Sequence, residues 1–287
     1  MYMPDFSGLR VLALESRRAE EMGKLIANNG GVATVAPSMR EVPLESNTEA
    51  LAFAATLAAG GFDVVIFLTG VGTRALTRVV ESVYPRGQFI EALHRLTVVA
   101  RGPKPVAALR EMGVPIAIAV PEPNTWREIV QALDERAESV PLRGRHVAIQ
   151  EYGAPNPELL SALAERGALV TRVPVYQWAL PEDTRPLEAA ARALAASQID
   201  VVLFTTSIQV DHLLQVAAAL GVEDALRNTL QKIVIASIGP TTSEALREHG
   251  FQPDYEPSHP KMGFLVKETA ERSTALLAQK RAPHAGP

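Results

Sequence analysis

The chain has 287 residues, 47% hydrophobic, 21% charged and 5% aromatic, which describes a globular protein long enough for two ordinary domains. It contains no cysteine, which excludes disulfides, thiolate catalysis, iron–sulfur clusters and cysteine-bound zinc. Its 28 Lys and Arg against 32 Asp and Glu give a formal charge of −4, which argues against a nucleic-acid partner, and no apolar run is long enough for a membrane span.

The opening MYMPDFSGLR lacks the basic-then-apolar order of a signal peptide, so a cytoplasmic location is expected. Leu9–Leu14 then reads as a strand and Glu15–Asn29 as a helix ended by Gly30-Gly31. Val32–Pro37 is a second strand, and Thr48–Ala59 a second helix closed by Gly60-Gly61. Val64–Phe67 is short, apolar and β-branched, as buried parallel strands are, and Thr73–Ser82 is predicted to be its helix. Strand Leu96–Ala100, helix Lys104–Met112, strand Ile116–Val120 and helix Trp126–Ala137 complete a first pass. The polar segment Ser139–Arg145, with Pro141 and Gly144, separates it from a second.

The pattern restarts with strand His146–Gln150, helix Asn156–Arg166 and strand Leu169–Val175. Helix Pro186–Ser197, strand Val201–Phe204, helix Ile208–Ala219, strand Ile233–Ser237 and helix Thr241–His249 follow. A last helix spans Lys261–Gln279, and the tail Arg281–Pro287 is expected to be disordered. The two passes keep one register: Asp63–Phe67 (DVVIF) and Asp200–Phe204 (DVVLF) are 137 residues apart. The same offset separates Thr69 from Thr206, Gly102-Pro103 from Gly239-Pro240, and Ala108–Glu111 from Ala245–Glu248. It also separates Pro37 from Pro174 and Pro123 from Pro260. Generic α/β patterning would repeat hydrophobicity but not this register, so the chain is read as a duplication.

Parallel α/β sheets bind ligands beyond the carboxyl ends of their strands. The repeat puts four strand-to-helix junctions there: Thr69–Thr73, Arg101–Lys104, Thr205–Ser207 and Ile238–Thr242. Each is expected to offer main-chain N–H groups to an anion, and each hydroxyl in them is equally suited to capping its helix. No junction is a complete dinucleotide or P-loop fingerprint, and Ser207 does not sit in GxSxG. Arg17 and Arg18 follow the first strand and face either a cleft or plain solvent. Tyr176, between Val175 and Gln177-Trp178, either packs the linker or donates a hydrogen bond to a leaving group.

Four segments carry a family likeness: ESRRAEEMGKLIANNGG (Glu15–Gly31), RVPVYQW (Arg172–Trp178), VLFTTSIQVDHLL (Val202–Leu214) and IGPTTSEALREHGFQPD (Ile238–Asp254). With them the chain resembles uroporphyrinogen-III synthases over almost its whole length. The resemblance implies two similar parallel-sheet α/β domains joined by a two-stranded linker. The first would be discontinuous, residues 1–37 and 178–287, and the second inserted, residues 44–172. It implies a cleft between the domains holding hydroxymethylbilane, a linear tetrapyrrole with eight carboxylates. The enzyme would be a cofactor-independent cyclising lyase acting as a monomer, with hydroxymethylbilane synthase handing over the substrate.

The same resemblance makes Tyr176 the residue that assists departure of the ring A hydroxyl. It assigns substrate binding to Arg17, Thr69, Gly70, Arg101, Gly102, Lys104, Thr206, Ser207, Gly239, Thr241 and Thr242. Two segments depart from the family pattern. Arg101-Gly102-Pro103-Lys104-Pro105 stands where Val-Gly-Pro-Lys-Thr is usual, and Leu14-Glu15-Ser16-Arg17 where Thr-Arg-Pro is. Glu15 would repel an anionic substrate. A non-catalytic tetrapyrrole-binding or regulatory module on the same scaffold, and a two-lobed binder of another small anion, remain open alternatives.

Overall fold

The computed structural model describes residues 5–44, 46–151, 153 and 155–282, so residues 283–287 of the expected disordered tail lie outside the described residues. The first stretch runs β1 (Arg10–Ala13), α1 (Ala19–Asn28), β2 (Val32–Val35), β3 (Arg40–Pro43) and α2 (Thr48–Ala58). It continues through β4 (Val64–Phe67), α3 (Gly70–Glu81), α4 (Arg86–His94), β5 (Thr97–Arg101), α5 (Pro103–Glu111), β6 (Ile118–Val120) and α6 (Trp126–Asp134). The second comprises β7 (His146–Gln150), α7 (Pro157–Glu165), β8 (Leu169–Val173), β9 (Tyr176–Ala179), α8 (Arg185–Ala195), β10 (Val201–Phe204) and α9 (Ile208–Ala219). It ends with α10 (Glu223–Leu230), β11 (Val234–Ser237), α11 (Pro240–Glu248) and α12 (Met262–Arg281).

The duplicated register survives folding. Helix α4 begins 137 residues before α10, α5 before α11 and α2 before α8, while β4 precedes β10 by the same interval. The chain nevertheless does not fold repeat by repeat. One compact unit contains residues 1–40 and 179–287, the other residues 41–178. The first holds a sheet of order β11-β10-β1-β2, the second a sheet of order β6-β5-β4-β7-β8, and β3 and β9 form a two-stranded sheet of their own. In each unit the front of one repeat therefore pairs with the back of the other. Val11 faces Val201 in one sheet, as Val147 faces Val64 in the other. Even the sheet edge repeats: Val99 pairs with Ile118 in β5 and β6, and Ala236 bridges Tyr255 137 residues later.

Both large sheets are parallel in every pairing and covered on both faces, which explains why β4, β10 and β11 are buried at every residue. In the first unit Leu12, Val202, Phe204 and Ile235 pack with Leu187, Leu194, Leu213 and Leu226 from α8, α9 and α10. The opposite face sets Val11, Ala13, Val201 and Leu203 against Met22 and Ile26 of α1 and Leu265 of α12. The inserted unit repeats the arrangement, with Val65, Phe67 and Val98 under Phe53, Leu76 and Phe89, and Ile66, Val99 and Ile149 against Ile129 and Leu163. Phe67 and Phe204 are wholly buried, and truncating either to Ala would cost about 3–5 kcal/mol.

The Asp of each DVV segment ties two strands together at their amino ends. The Asp200 carboxylate accepts the Arg10 main-chain N–H at 3.0 Å, and the Asp63 carboxylate accepts that of His146 at 2.9 Å. This repeated signal is structural and lies at the end of the sheet away from the strand-to-helix junctions.

Several elements differ from the sequence reading, three of these differences bearing on the site. Helix α3 starts at Gly70 rather than Thr73, so both glycines of the junction lie in its first turn. Helices α4 and α10, which the sequence reading leaves out, fill the span before β5 and β11. The stretch expected as one strand to Val175 ends at Val173, and a separate strand starts at Tyr176.

Candidate active site

In the inserted unit, the junctions after β4, β5 and β7 converge. Thr69 sits in extended backbone as the N-cap of α3, and its Oγ1 accepts the Gly72 N–H at 3.0 Å. Its own N–H donates to Oε1 of the fully buried Gln150 at 3.3 Å. The Tyr176 hydroxyl lies 3.4 Å from Thr69 Oγ1, longer than a well-made O–H···O bond. The Tyr176 ring is 5% exposed and stands edge-on to Trp178, with centroids 5.3 Å apart. Packing thus fixes the ring, while its phenol points to the start of α3. The N–H groups of Gly70 and Val71, in the first turn, have no acceptor within the helix.

Arg101 closes the neighbouring junction by donating from Nε to the Leu68 carbonyl at 3.1 Å. Gly102 is required there: its φ is +82°, and a Cβ would come within 2.8 Å of the Asn124 side chain. Gly70 is required by close approach, since a Cβ would meet the Lys104 carbonyl at 2.6 Å. The sequence expectation of a main-chain anion cradle fails at α5. Pro103 and Pro105 have no N–H, which leaves Lys104 alone among the first three helical positions. Here positive charge comes from the exposed Lys104 and the partly buried Arg101 side chains instead. On the β7 side the buried Glu151 is held bidentate by Arg172, at 2.6 and 3.0 Å.

In the other unit, the junctions after β1 and β10 meet. Glu15 bends back so that Oε1 accepts the N–H groups of Arg17 and Arg18, at 3.1 and 3.2 Å, and Oε2 accepts the Thr205 hydroxyl at 2.7 Å. The chain's own carboxylate therefore occupies the donors that an external carboxylate would take. Gln209, fully buried, locks this corner by donating to the Leu14 carbonyl at 3.0 Å and accepting the Thr205 N–H at 2.7 Å. Ser38 joins through its hydroxyl to Leu14 O at 3.0 Å, and His212 Nδ1 lies 2.7 Å from Ser38 O.

Thr206 and Ser207 lie before α9, and Thr241 and Thr242 in the first turn of α11, whose N-cap is Gly239. Neither helix has a side-chain cap. Among the described residues these four hydroxyls make no hydrogen bond within the chain, unlike Thr69, which is spent on capping. Within its own unit, each corner gathers its sequence-nominated residues: Tyr176, Thr69, Gly70, Arg101, Gly102 and Lys104 in one, Arg17, Thr206 and Ser207 in the other, with Gly239, Thr241 and Thr242 at the adjoining β11 junction. Sequence reasoning missed Gln150 and Gln209, and placed Thr205 in its junction without its bond to Glu15, because these roles are made by partners far away in the chain. Among the described residues no group of three or more His, Asp or Glu is gathered for a metal ion, and no helix is long and apolar enough to cross a membrane.

The sequence model of the family described as "Uroporphyrinogen-III synthase HemD" matches residues 20–267. The chain belongs to this family. It is similar to "Uncharacterized protein YjjA" of Bacillus subtilis, with 31% identity over 265 residues, 92% of this chain and 96% of that one. Among solved structures, a mutant uroporphyrinogen III synthase from Thermus thermophilus is similar with 25% identity and a TM-score of 0.69, over 95% of this chain and 100% of that one. The wild-type form of that enzyme in another crystal is similar with 28% identity and a TM-score of 0.54, over 93% and 98%. The fold expected from the resemblance, paired parallel-sheet α/β units, is the fold of these synthases.

Proposed function

We propose that this protein is a uroporphyrinogen-III synthase, a cyclising lyase that needs no cofactor and converts hydroxymethylbilane to uroporphyrinogen III. The observation that carries this reading is the buried Tyr176 phenol beside Thr69 at the start of α3, in a chain of this family. Tyr176 would donate its proton to the departing ring A hydroxyl, which leaves as water and creates an azafulvene-like cation. The substituted carbon of ring D attacks, giving a spiro intermediate whose fragmentation and re-closure invert ring D. The protein's main contribution is to hold one folded substrate conformation.

The substrate's carboxylates would be taken by the open first-turn N–H groups of α3, by Arg101 and Lys104, and by the uncapped hydroxyls of Thr206, Ser207, Thr241 and Thr242. Gly102 and Gly239 keep the approach to these groups open, and the Arg17 side chain adds charge at the rim. A monomer in the cytoplasm, receiving the unstable bilane from hydroxymethylbilane synthase, fits this chemistry.

A second reading rests on Glu15. With its carboxylate already on the Arg17 and Arg18 N–H groups, one corner is closed to substrate, as in a non-catalytic tetrapyrrole-binding or regulatory module. The isomer assay separates the two. The purified chain supplied with freshly made hydroxymethylbilane should yield the type III isomer. Type I alone, the product of spontaneous closure, overturns the synthase reading and leaves the module.

A further inference from the structure

The discontinuous unit carries a second concavity at the amino ends of its strands, the far end of the sheet from the junctions above. It is a half-open depression of about 500 Å³ whose polar lining is Arg10, Ser197, Thr229, Lys232, Lys280 and Arg281, with no acidic residue in the lining. Arg10 holds Asp200 through Nε at 2.9 Å and Nη2 at 3.0 Å, and Arg281 adds a third guanidinium bond to the same carboxylate at 2.8 Å. Lys280 bridges Asp254 and the Ile233 carbonyl, both at 2.7 Å. Lys232 is exposed and, among the described residues, makes no ion pair. Four cations thus meet two carboxylates. The carboxyl end of α12 contributes about half a negative charge, which offsets only part of the surplus.

The duplication supplies an internal control. In the inserted unit Asp63 performs the same strand-tying task with Arg145 alone, at 2.7 Å. One arginine therefore suffices for the fold. Two of the extra cations arrive on a helical extension: α6 stops at Asp134, equivalent to Glu271, whereas α12 continues to Arg281. Residues 272–281 have no helical counterpart in the other repeat, and they deliver Lys280 and Arg281. The Ser197 and Thr229 hydroxyls, 3.2 Å apart, add neutral donors to the pocket.

We propose that this pocket binds a small oxyanion carrying at least two negative charges, with phosphate-bearing and polycarboxylate ligands sharing the required chemistry. The lining offers no aromatic face for a base or ring, so recognition is by charge and hydroxyl donors. Pyrophosphate, citrate and acetate would be titrated separately into the full chain by calorimetry at about physiological ionic strength. Pyrophosphate or citrate should bind and raise the unfolding temperature, acetate should not, and the tighter of the two names the ligand source. Lys232→Glu, at an exposed position without an ion pair, should weaken binding about tenfold or more. Arg281→Ala should do the same while leaving Asp200 with Arg10, the arrangement that already serves Asp63. Absence of binding, equal binding of acetate, or unchanged affinity in Lys232→Glu overturns the proposal.

Discussion

The Thr205 hydroxyl donates to the Glu15 carboxylate at 2.7 Å, joining two junctions that lie 190 residues apart in the chain. The same carboxylate accepts two main-chain N–H groups, so it acts as a built-in anion at this corner. Glu15→Ala frees these donors. It should cost about 1 kcal/mol of stability, because the half-buried groups return partly to water. It should also lower KM for hydroxymethylbilane about tenfold, the worth of one added hydrogen bond to a charged group. Steady-state kinetics check this, and an unchanged or higher KM would show that Glu15 does not compete with substrate.

Tyr176→Phe removes the phenol and keeps the ring against Trp178. Turnover to the type III isomer should fall about a hundredfold, with a wild-type circular dichroism spectrum and unfolding temperature. Thr69→Val should lower stability by about 1 kcal/mol through loss of the α3 cap. An undiminished rate in Tyr176→Phe removes the phenol from the reaction.

Asp200→Asn should destabilise by about 2 kcal/mol, and Asp63→Asn by about half as much. The Asp200 side chain is 8% exposed and shared by two arginines, while that of Asp63 is 35% exposed and has one. Hydrogen bonds from Arg10, with help from Arg281, hold the Asp200 carboxyl far below the usual carboxylate range despite its burial. Because the folded-state value is depressed, the stabilisation is complete above the unfolded value near pH 4 and is lost as pH falls below it. The gap in unfolding free energy between wild type and Asp200→Asn should therefore stay level from about pH 7 to pH 5 and shrink as the pH falls from about 4 to 3 and below. A gap that stays constant would contradict this account.

Gly102→Ala forces a side chain into left-handed backbone and against Asn124. A loss of about 2 kcal/mol is expected in chemical denaturation, with reduced turnover because the β5 junction must shift. A loss no larger than that of an exposed helical Gly→Ala change would show that the turn relaxes freely.

Much of the secondary structure could be read locally. Val64–Phe67, His146–Gln150, Val201–Phe204 and Ile208–Ala219 carry the same bounds in sequence and structure, because uninterrupted apolar strands and a clean helical repeat need no distant partner. The start of α3 could not be read so. Gly70 and Gly72 disfavour helix locally, yet a Cβ at Gly72 would collide with the Gln150 side chain, and Thr69 caps the turn. Helices α4 and α10 are short and polar, with weak apolar periodicity in α4, and tertiary packing of Phe89, Leu93, Leu226 and Leu230 stabilises them.

The sequence by itself determined the 137-residue duplication, the buried parallel strands, the four junctions and the family likeness. The repeat spacing could not show that each sheet joins the front of one repeat to the back of the other; the family likeness implied it, and the sheet order displays it. Both repeats present the same apolar faces, so only long-range strand pairing discriminates between partners. The tertiary structure alone decided what the junctions offer. Sequence made Glu15 a source of repulsion, while folding made it the occupant of the donors. The start of α5 at Pro103 puts two prolines among its first three positions, so the β5 junction offers the single first-turn N–H of Lys104. Hydrogen-bond donors are counted by the sequence, but their availability depends on which distant group reaches them first.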